Sequence, residues 1–78
     1  MAIEEQYAVC IWWSSKDRYY VAQCREMPGI MAHGDTRWRA LISLQDALSD
    51  AVIWMRADGE SLPTPRPIEE ILLRNERR

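Results

Sequence analysis

The chain has 78 residues and a formal net charge of −2, which fits one small domain and excludes a uniformly basic nucleic-acid clamp. Hydrophobic residues make up 47% of the chain and charged residues 28%, a balance typical of a globular protein and not of a disordered one. A domain of this size has a thin core, and self-association is a common source of added stability. The composition therefore predicts a single domain over residues 1–78 that forms a homodimer or a higher oligomer.

The N-terminal half has the pattern of a small antiparallel sheet. Residues 7–13 and 19–24 are rich in β-branched and aromatic side chains, which favours two strands. The five polar residues 14–18 between them predict a hairpin turn. Pro28 and Gly29 end the second strand, and residues 30–33 are long enough for one short edge strand. The pattern predicts a three-stranded antiparallel sheet.

One long helix follows the sheet in the sequence. Gly34 and Asp35 form a turn, Thr36 is the predicted N-cap, and the helix runs from Arg37 to about Ala57. Its apolar residues recur at helical spacing and form one stripe. The stripe consists of Ala40, Leu41, Leu44, Leu48, Ala51, Val52 and Met55. Asp58-Gly59 is a typical helix end, so the domain core spans about residues 6–57.

The pattern of the C-terminal part predicts a connector followed by a second helix. Proline recurs at positions 63, 65 and 67 of a connector that spans residues 61–67. Residues 68–76 have helical apolar spacing and predict a short helix. The fold class is therefore α+β: a three-stranded antiparallel sheet packed on one long helix, with a short C-terminal helix.

The chain offers few residues for catalysis. His33 is its one histidine, and no second histidine completes a metal pair. Cys10 and Cys24 lack metal-ligand spacing; we interpret them as small buried hydrophobic residues, with a disulfide as the alternative. No acidic residue falls within either main strand, where a two-metal nuclease would need one. We expect a protein that is not an enzyme, with no catalytic residue, metal or cofactor.

The apolar residues exceed what one sheet–helix contact needs. Strand alternation makes both sheet faces apolar, and a single helix covers only one of them. The helix also carries Trp38, Ile42, Ile53 and Trp54 outside its main stripe. A partner or subunit interface explains this surplus, and a wholly internal core is the alternative. The candidate interface residues are Trp12, Tyr20, Arg37, Trp38, Arg39, Ile42 and Trp54.

The order of these signals resembles the HicB-like antitoxin domain. That family's pattern is a hairpin, a P-G after strand two, a G-D-T helix start, A-L in the first turn, a W-L-type helix end and a P-x-P connector. This chain has Pro28-Gly29, Gly34-Asp35-Thr36, Ala40-Leu41, Trp54-Met55 and Pro63-Thr64-Pro65 in that order. The match covers roughly residues 6–72.

The resemblance implies a β-β-β-α core like a truncated RNase H fold that lacks the nuclease residues. It also implies self-association and a partner, namely a small basic HicA-like ribonuclease toxin that is inhibited by direct binding. This chain differs from the family pattern in two places. Arg37, Trp38 and Arg39 stand where the family usually has acidic residues, and the chain ends at Arg78. We therefore expect no C-terminal DNA-binding module and do not carry over DNA binding.

We accordingly interpret the chain as a protein-binding antitoxin domain. The alternatives are a nucleic-acid-binding accessory protein with an Arg-rich surface, and an orphan HicB-like domain with another protein partner. Residues 1–5 lack the pattern of a secretory signal, and no stretch approaches the roughly 18 apolar residues of a membrane span. We expect a cytoplasmic protein that does not enter the membrane, with both thiols reduced.

Overall fold

The computed structural model describes residues 2–65. A 3₁₀ helix, Ile3–Glu5, precedes three strands, β1 (Val9–Ser14), β2 (Tyr19–Cys24) and β3 (Met31–Gly34), and one helix, α1 (Arg37–Ala57). The predicted α+β class and the sheet-then-helix order are confirmed, and the bounds of α1 match the prediction. The 3₁₀ helix was not predicted. The predicted C-terminal helix over residues 68–76 lies outside the described residues.

The three strands form one antiparallel sheet in the order β1-β2-β3. Ile11 lies opposite Ala22, and Ala22 lies opposite Ala32 on β3. Cross-strand partners share a face of the sheet, so the register assigns these residues, with Val9 and Cys24, to one side. Helix α1 packs on this side, because these residues join its buried stripe in one cluster.

The core lies between that sheet face and one stripe of α1. Ala40, Leu44 and Leu48 of α1 are fully buried, as are Ala22 and Cys24 of β2. The sheet contributes the small side chains of Ala22 and Ala32 to this layer, and small side chains let a helix approach a sheet closely. This layer is the single hydrophobic cluster of residues 2–65.

Strand β1 begins two residues later than predicted, at Val9 rather than Tyr7. Tyr7 is buried in the core, and its hydroxyl donates to the carbonyl of Pro63 at 2.8 Å. The Ala8 N–H donates to Glu26 Oε1 at 3.0 Å, which takes this amide out of the strand ladder. Tyr7 has the aromatic character of a strand residue, but its hydroxyl instead links the connector at Pro63 to the core.

Strand β3 begins one residue later than predicted and ends at a glycine. The Ile30 N–H closes the preceding turn by donating to the carbonyl of Met27 at 2.9 Å. At the other end, a Cβ on Gly34 would lie 2.5 Å from the backbone nitrogen of Ala40 and 2.7 Å from the carbonyl carbon of Arg39. Only glycine permits this contact between the end of β3 and the first turn of α1.

Both ends of α1 carry capping interactions that the sequence predicts. Thr36 Oγ1 accepts the Arg39 N–H at 3.0 Å, which makes Thr36 the N-cap. At the C-terminal end, Gly59 adopts a positive φ of 73°. The Glu60 N–H then donates to the carbonyl of Met55 at 2.8 Å, as in a Schellman motif. These caps explain why the sequence predicts both ends of the helix closely.

Candidate interaction surfaces

Within residues 2–65, the side chains that could act in catalysis or bind a metal do not come together at one site. Within this range, no three His, Cys, Asp or Glu side chains come together as a metal site requires. His33 stacks on Tyr19 with ring centroids 4.4 Å apart and is exposed on the sheet. Stacking on an aromatic neighbour is a sufficient structural explanation for this histidine.

The two cysteines lie on opposite faces of the sheet. Cys24 is fully buried against α1, whereas Cys10 is partly exposed on the other face, and both thiols are free. The predicted burial therefore holds for Cys24 and only in part for Cys10. Burial raises the pKa of the Cys24 thiol, and it also raises the pKa of the Tyr7 hydroxyl. Both groups are consequently kept neutral in the core and are poor candidates for reactive groups.

The first turn of α1 meets the end of the hairpin in an aromatic cluster. The Arg37 guanidinium lies over the ring of Tyr20, 5.7 Å from its centroid. Tyr20 in turn meets Trp13 edge-on, with ring centroids 5.0 Å apart. The cation–π contact compensates in part for a basic residue at the positive end of the helix dipole. Trp13 was missed as a candidate, although its position opposite Tyr20 in the hairpin could have identified it.

A second surface is a shallow groove on α1, which we call the Trp38 groove. It is lined by Trp38, Arg39, Ile42 and Ser43. The Trp38 side chain is 67% exposed and that of Ile42 is 44% exposed. Three of the predicted interface residues therefore come together here, with two large apolar side chains left in contact with solvent.

Next to this groove lies a cleft between α1 and the 3₁₀ helix, which we call the acidic cleft. Its lining consists of Glu4, Glu5, Gln45, Asp46 and Ser49. The Ser49 hydroxyl donates to Glu4 Oε2 at 3.1 Å and ties the 3₁₀ helix to α1. The cleft was not predicted, because the sequence gives no sign that residues 3–5 fold back against the helix.

The third surface is the sheet face that points away from α1. The register assigns Trp12, Val21 and Met31 to this face. Trp12 is 40% exposed and Met31 is 50% exposed, and Val21 is buried by its neighbours. No element of residues 2–65 packs across this face. The prediction that one helix covers only one apolar face is therefore confirmed for the described part of the chain.

The seven predicted interface residues consequently divide among four places. Trp38, Arg39 and Ile42 share the Trp38 groove. Tyr20 and Arg37 contact each other beside Trp13. Trp12 lies on the outer sheet face, and Trp54, 70% exposed, lies near the C-terminal end of α1. Six of these residues are exposed and Tyr20 is partly buried, and the sequence did not show which of them are neighbours.

Comparison with known proteins adds one relative. No family model matches the chain, and no solved structure matches it. The chain is similar to an uncharacterized 14.9 kDa protein in the rep-hol intergenic region of Haemophilus phage HP1, with 32% identity over 66 residues. The match covers 85% of this chain but only 48% of the phage protein, so the chain spans about half the length of that relative.

Within residues 2–65, neither α1 nor the 3₁₀ helix combines the length and the apolar character that crossing a bilayer needs.

Proposed function

We propose that the chain is a HicB-like, non-enzymatic protein-binding domain that neutralises a small ribonuclease toxin by direct contact. The order of motifs from the hairpin to the P-x-P connector is the basis of the family assignment. The α+β arrangement of strands and helix is compatible with it. The observation that carries the binding function is the set of large apolar side chains left exposed on α1 and on the outer sheet face.

Exposed tryptophan is the strongest part of this observation. Trp38 and Trp54 are each at least two-thirds exposed, although a tryptophan side chain stabilises a fold most when it is buried. Tryptophan and arginine are enriched among the residues that dominate binding energy in protein interfaces. Arg37 and Arg39 flank Trp38 in the same turn. This composition favours a protein partner over a small-molecule ligand.

The test begins with the partner itself. The tagged chain is purified from its native cell, and the co-purifying proteins are identified by mass spectrometry. The proposal predicts a small basic protein that cleaves RNA on its own and loses this activity when the chain is added at equal molar amount. Unchanged RNA cleavage in the presence of the bound chain would contradict the antitoxin function.

A second candidate function is nucleic-acid binding through the first turn of α1. The observation that favours it is that Arg37 and Arg39 are both exposed, with no acidic residue in that turn. Binding of this kind weakens steeply with salt, because it releases counterions from the phosphates. A measurable affinity for RNA that falls with a steep salt slope, and that Arg37→Gln and Arg39→Gln abolish, would support this alternative.

Two further parts of the proposal concern assembly and activity. We expect a dimer or larger species, which sedimentation equilibrium at micromolar concentration measures directly. We also expect no nuclease, protease or phosphatase activity with or without divalent metal. An orphan domain with a different partner remains the alternative if the co-purifying protein does not cleave RNA.

A further inference from the structure

The Trp38 groove and the acidic cleft occupy one continuous face of α1. Positions 38, 42, 45, 49 and 53 are separated by three or four residues, which places them on the same side of a helix. The groove lies at the N-terminal end of this face. The acidic cleft begins about one helical turn further along, where the 3₁₀ helix meets α1.

The apolar end of this face makes no contribution to the core. Leu44 and Leu48, in the buried stripe of α1, are fully buried, whereas Trp38 and Ile42 are outside the core cluster. An apolar groove with an exposed tryptophan has the character of an anchor site, in which a partner side chain removes both surfaces from water. The groove alone does not specify a partner.

The charges beside the groove indicate which kind of partner it fits. Glu4, Glu5 and Asp46 line the acidic cleft from two elements, and no basic side chain of residues 2–65 belongs to its lining. At the opposite end, Arg39 lines the groove beside Trp38. A cation is therefore favoured at the cleft and disfavoured beside Trp38. This polarity fixes the direction in which a charged partner would lie along the helix.

We propose that this face binds a segment of a partner protein that presents an apolar side chain and a Lys or Arg. The apolar side chain fills the Trp38 groove, and the basic group enters the acidic cleft. From Ile42, the cleft residues Asp46 and Ser49 lie roughly 6–10 Å further along the helix axis, from a rise of about 1.5 Å per residue. A helical partner segment spans that separation with residues about four to seven positions apart. The inference rests on the proposed function, because it assigns the surface that binds the partner.

The test uses a defined probe, a phage-displayed library of random 12-residue peptides selected on the full chain. The proposal predicts peptides with one large apolar residue and a Lys or Arg about four to seven positions away. Their affinity is then measured by fluorescence anisotropy. Trp38→Ala should weaken binding about tenfold or more, as for an interface anchor. Glu5→Gln with Asp46→Asn should weaken it several-fold and reduce its dependence on salt.

Matched controls separate this face from general effects of losing an aromatic ring or a charge. Tyr19→Ala removes an aromatic ring of the sheet, stacked on His33, that is absent from the groove lining and from the candidate interface residues. Glu60→Gln removes an exposed carboxylate outside the cleft. Both variants should bind the peptides as the unaltered chain does. Circular dichroism should show the same thermal transition for Trp38→Ala and for the unaltered chain, which verifies that loss of binding is not loss of folding.

Several outcomes would overturn the inference. Acidic peptides, no enriched peptides, or peptides that bind Trp38→Ala unchanged would each do so. A fall in sedimentation mass on Trp38→Ala would assign the face to a second copy of the chain. A gain in peptide affinity when Arg74, Arg77 and Arg78 are all changed to Gln would assign it to the chain's own C-terminal segment. A ribonuclease partner that is inhibited equally by Trp38→Ala would leave the antitoxin function standing and remove only this site.

Discussion

The two sides of helix α1 differ in the size of the apolar residues that they carry. The buried side has Ala40, Leu44, Leu48 and Val52, whereas the exposed side has Trp38, Ile42, Ile53 and Trp54. Neither tryptophan of α1 belongs to the core, where alanine and leucine side chains of the helix pack with Ala22 and Ala32 of the sheet. The largest apolar side chains remain in water, where their exposure is unfavourable unless a partner covers them. Substitutions on the two sides should therefore separate stability from binding.

The largest loss of stability is expected at the buried centre of α1. Leu44→Ala removes a fully buried side chain and leaves a cavity between helix and sheet. We expect the free energy of unfolding to fall by about 3 kcal/mol, within the usual range for such substitutions. Urea denaturation measures this change. Ile42→Ala, two residues away on the exposed side, is the control and should cost less than about 1 kcal/mol.

The second largest effect is expected where β3 meets the start of α1. Gly34→Ala places a Cβ 2.5 Å from the backbone of Ala40, so the helix has to shift away from the strand. We expect a loss of about 2 kcal/mol, which is typical of overpacking. Gly29→Ala is the matched control, since a Cβ there meets no atom within 4 Å. Equal melting temperatures for the two variants would show that the close approach at Gly34 is not required.

A smaller effect is expected at the N-cap. Thr36→Ala removes the oxygen that accepts the Arg39 N–H and should lower the unfolding free energy by about 1 kcal/mol. Thr36→Ser keeps the hydroxyl and should recover most of this loss. If Thr36→Ser were as unstable as Thr36→Ala, the hydroxyl would not be the stabilising group.

Alkaline pH should also destabilise the core, through Cys24. Burial raises the pKa of this thiol in the folded chain, so above the ordinary thiol pKa the unfolded state releases the proton more readily. The folded state then binds more protons than the unfolded state, and stability falls as pH rises. Urea unfolding at a series of pH values from about 7.5 to about 10 measures this slope. Cys24→Ala should flatten it, and a slope that this substitution leaves unchanged would show that Cys24 is not the group responsible.

The sequence predicted α1 most closely because its boundaries depend on local chemistry. A threonine cap and an Asp-Gly end act within a few residues, and both are visible without tertiary information. The strand starts depend on tertiary contacts. Tyr7 has the composition of a strand residue, yet its hydroxyl bonds to Pro63, 56 positions away in sequence. No local pattern contains that partner.

The candidate site was predictable only as a set of exposed residues. Periodicity placed Trp38 outside the buried stripe, and the structure exposes it. Periodicity could not show which sheet face α1 covers, because both faces are apolar. The covered face carries the paired Ala22 and Ala32 and also Gly34, which lies against the backbone of the first turn of α1. The acidic cleft depends on the 3₁₀ helix packing on α1, a contact between residues 45 positions apart in the case of Glu4 and Ser49.

The smallest change in stability, paired with the largest change in binding, is expected for Trp38→Ala. This variant tests the central claim most directly when its unfolding free energy in urea and its affinity for the selected peptides are measured on the same preparation. We predict a change in unfolding free energy within about 0.5 kcal/mol, as for an exposed side chain, together with a loss of binding of about tenfold or more. A variant that unfolds readily while its peptide affinity survives would show that Trp38 stabilises the fold and that the binding surface lies elsewhere.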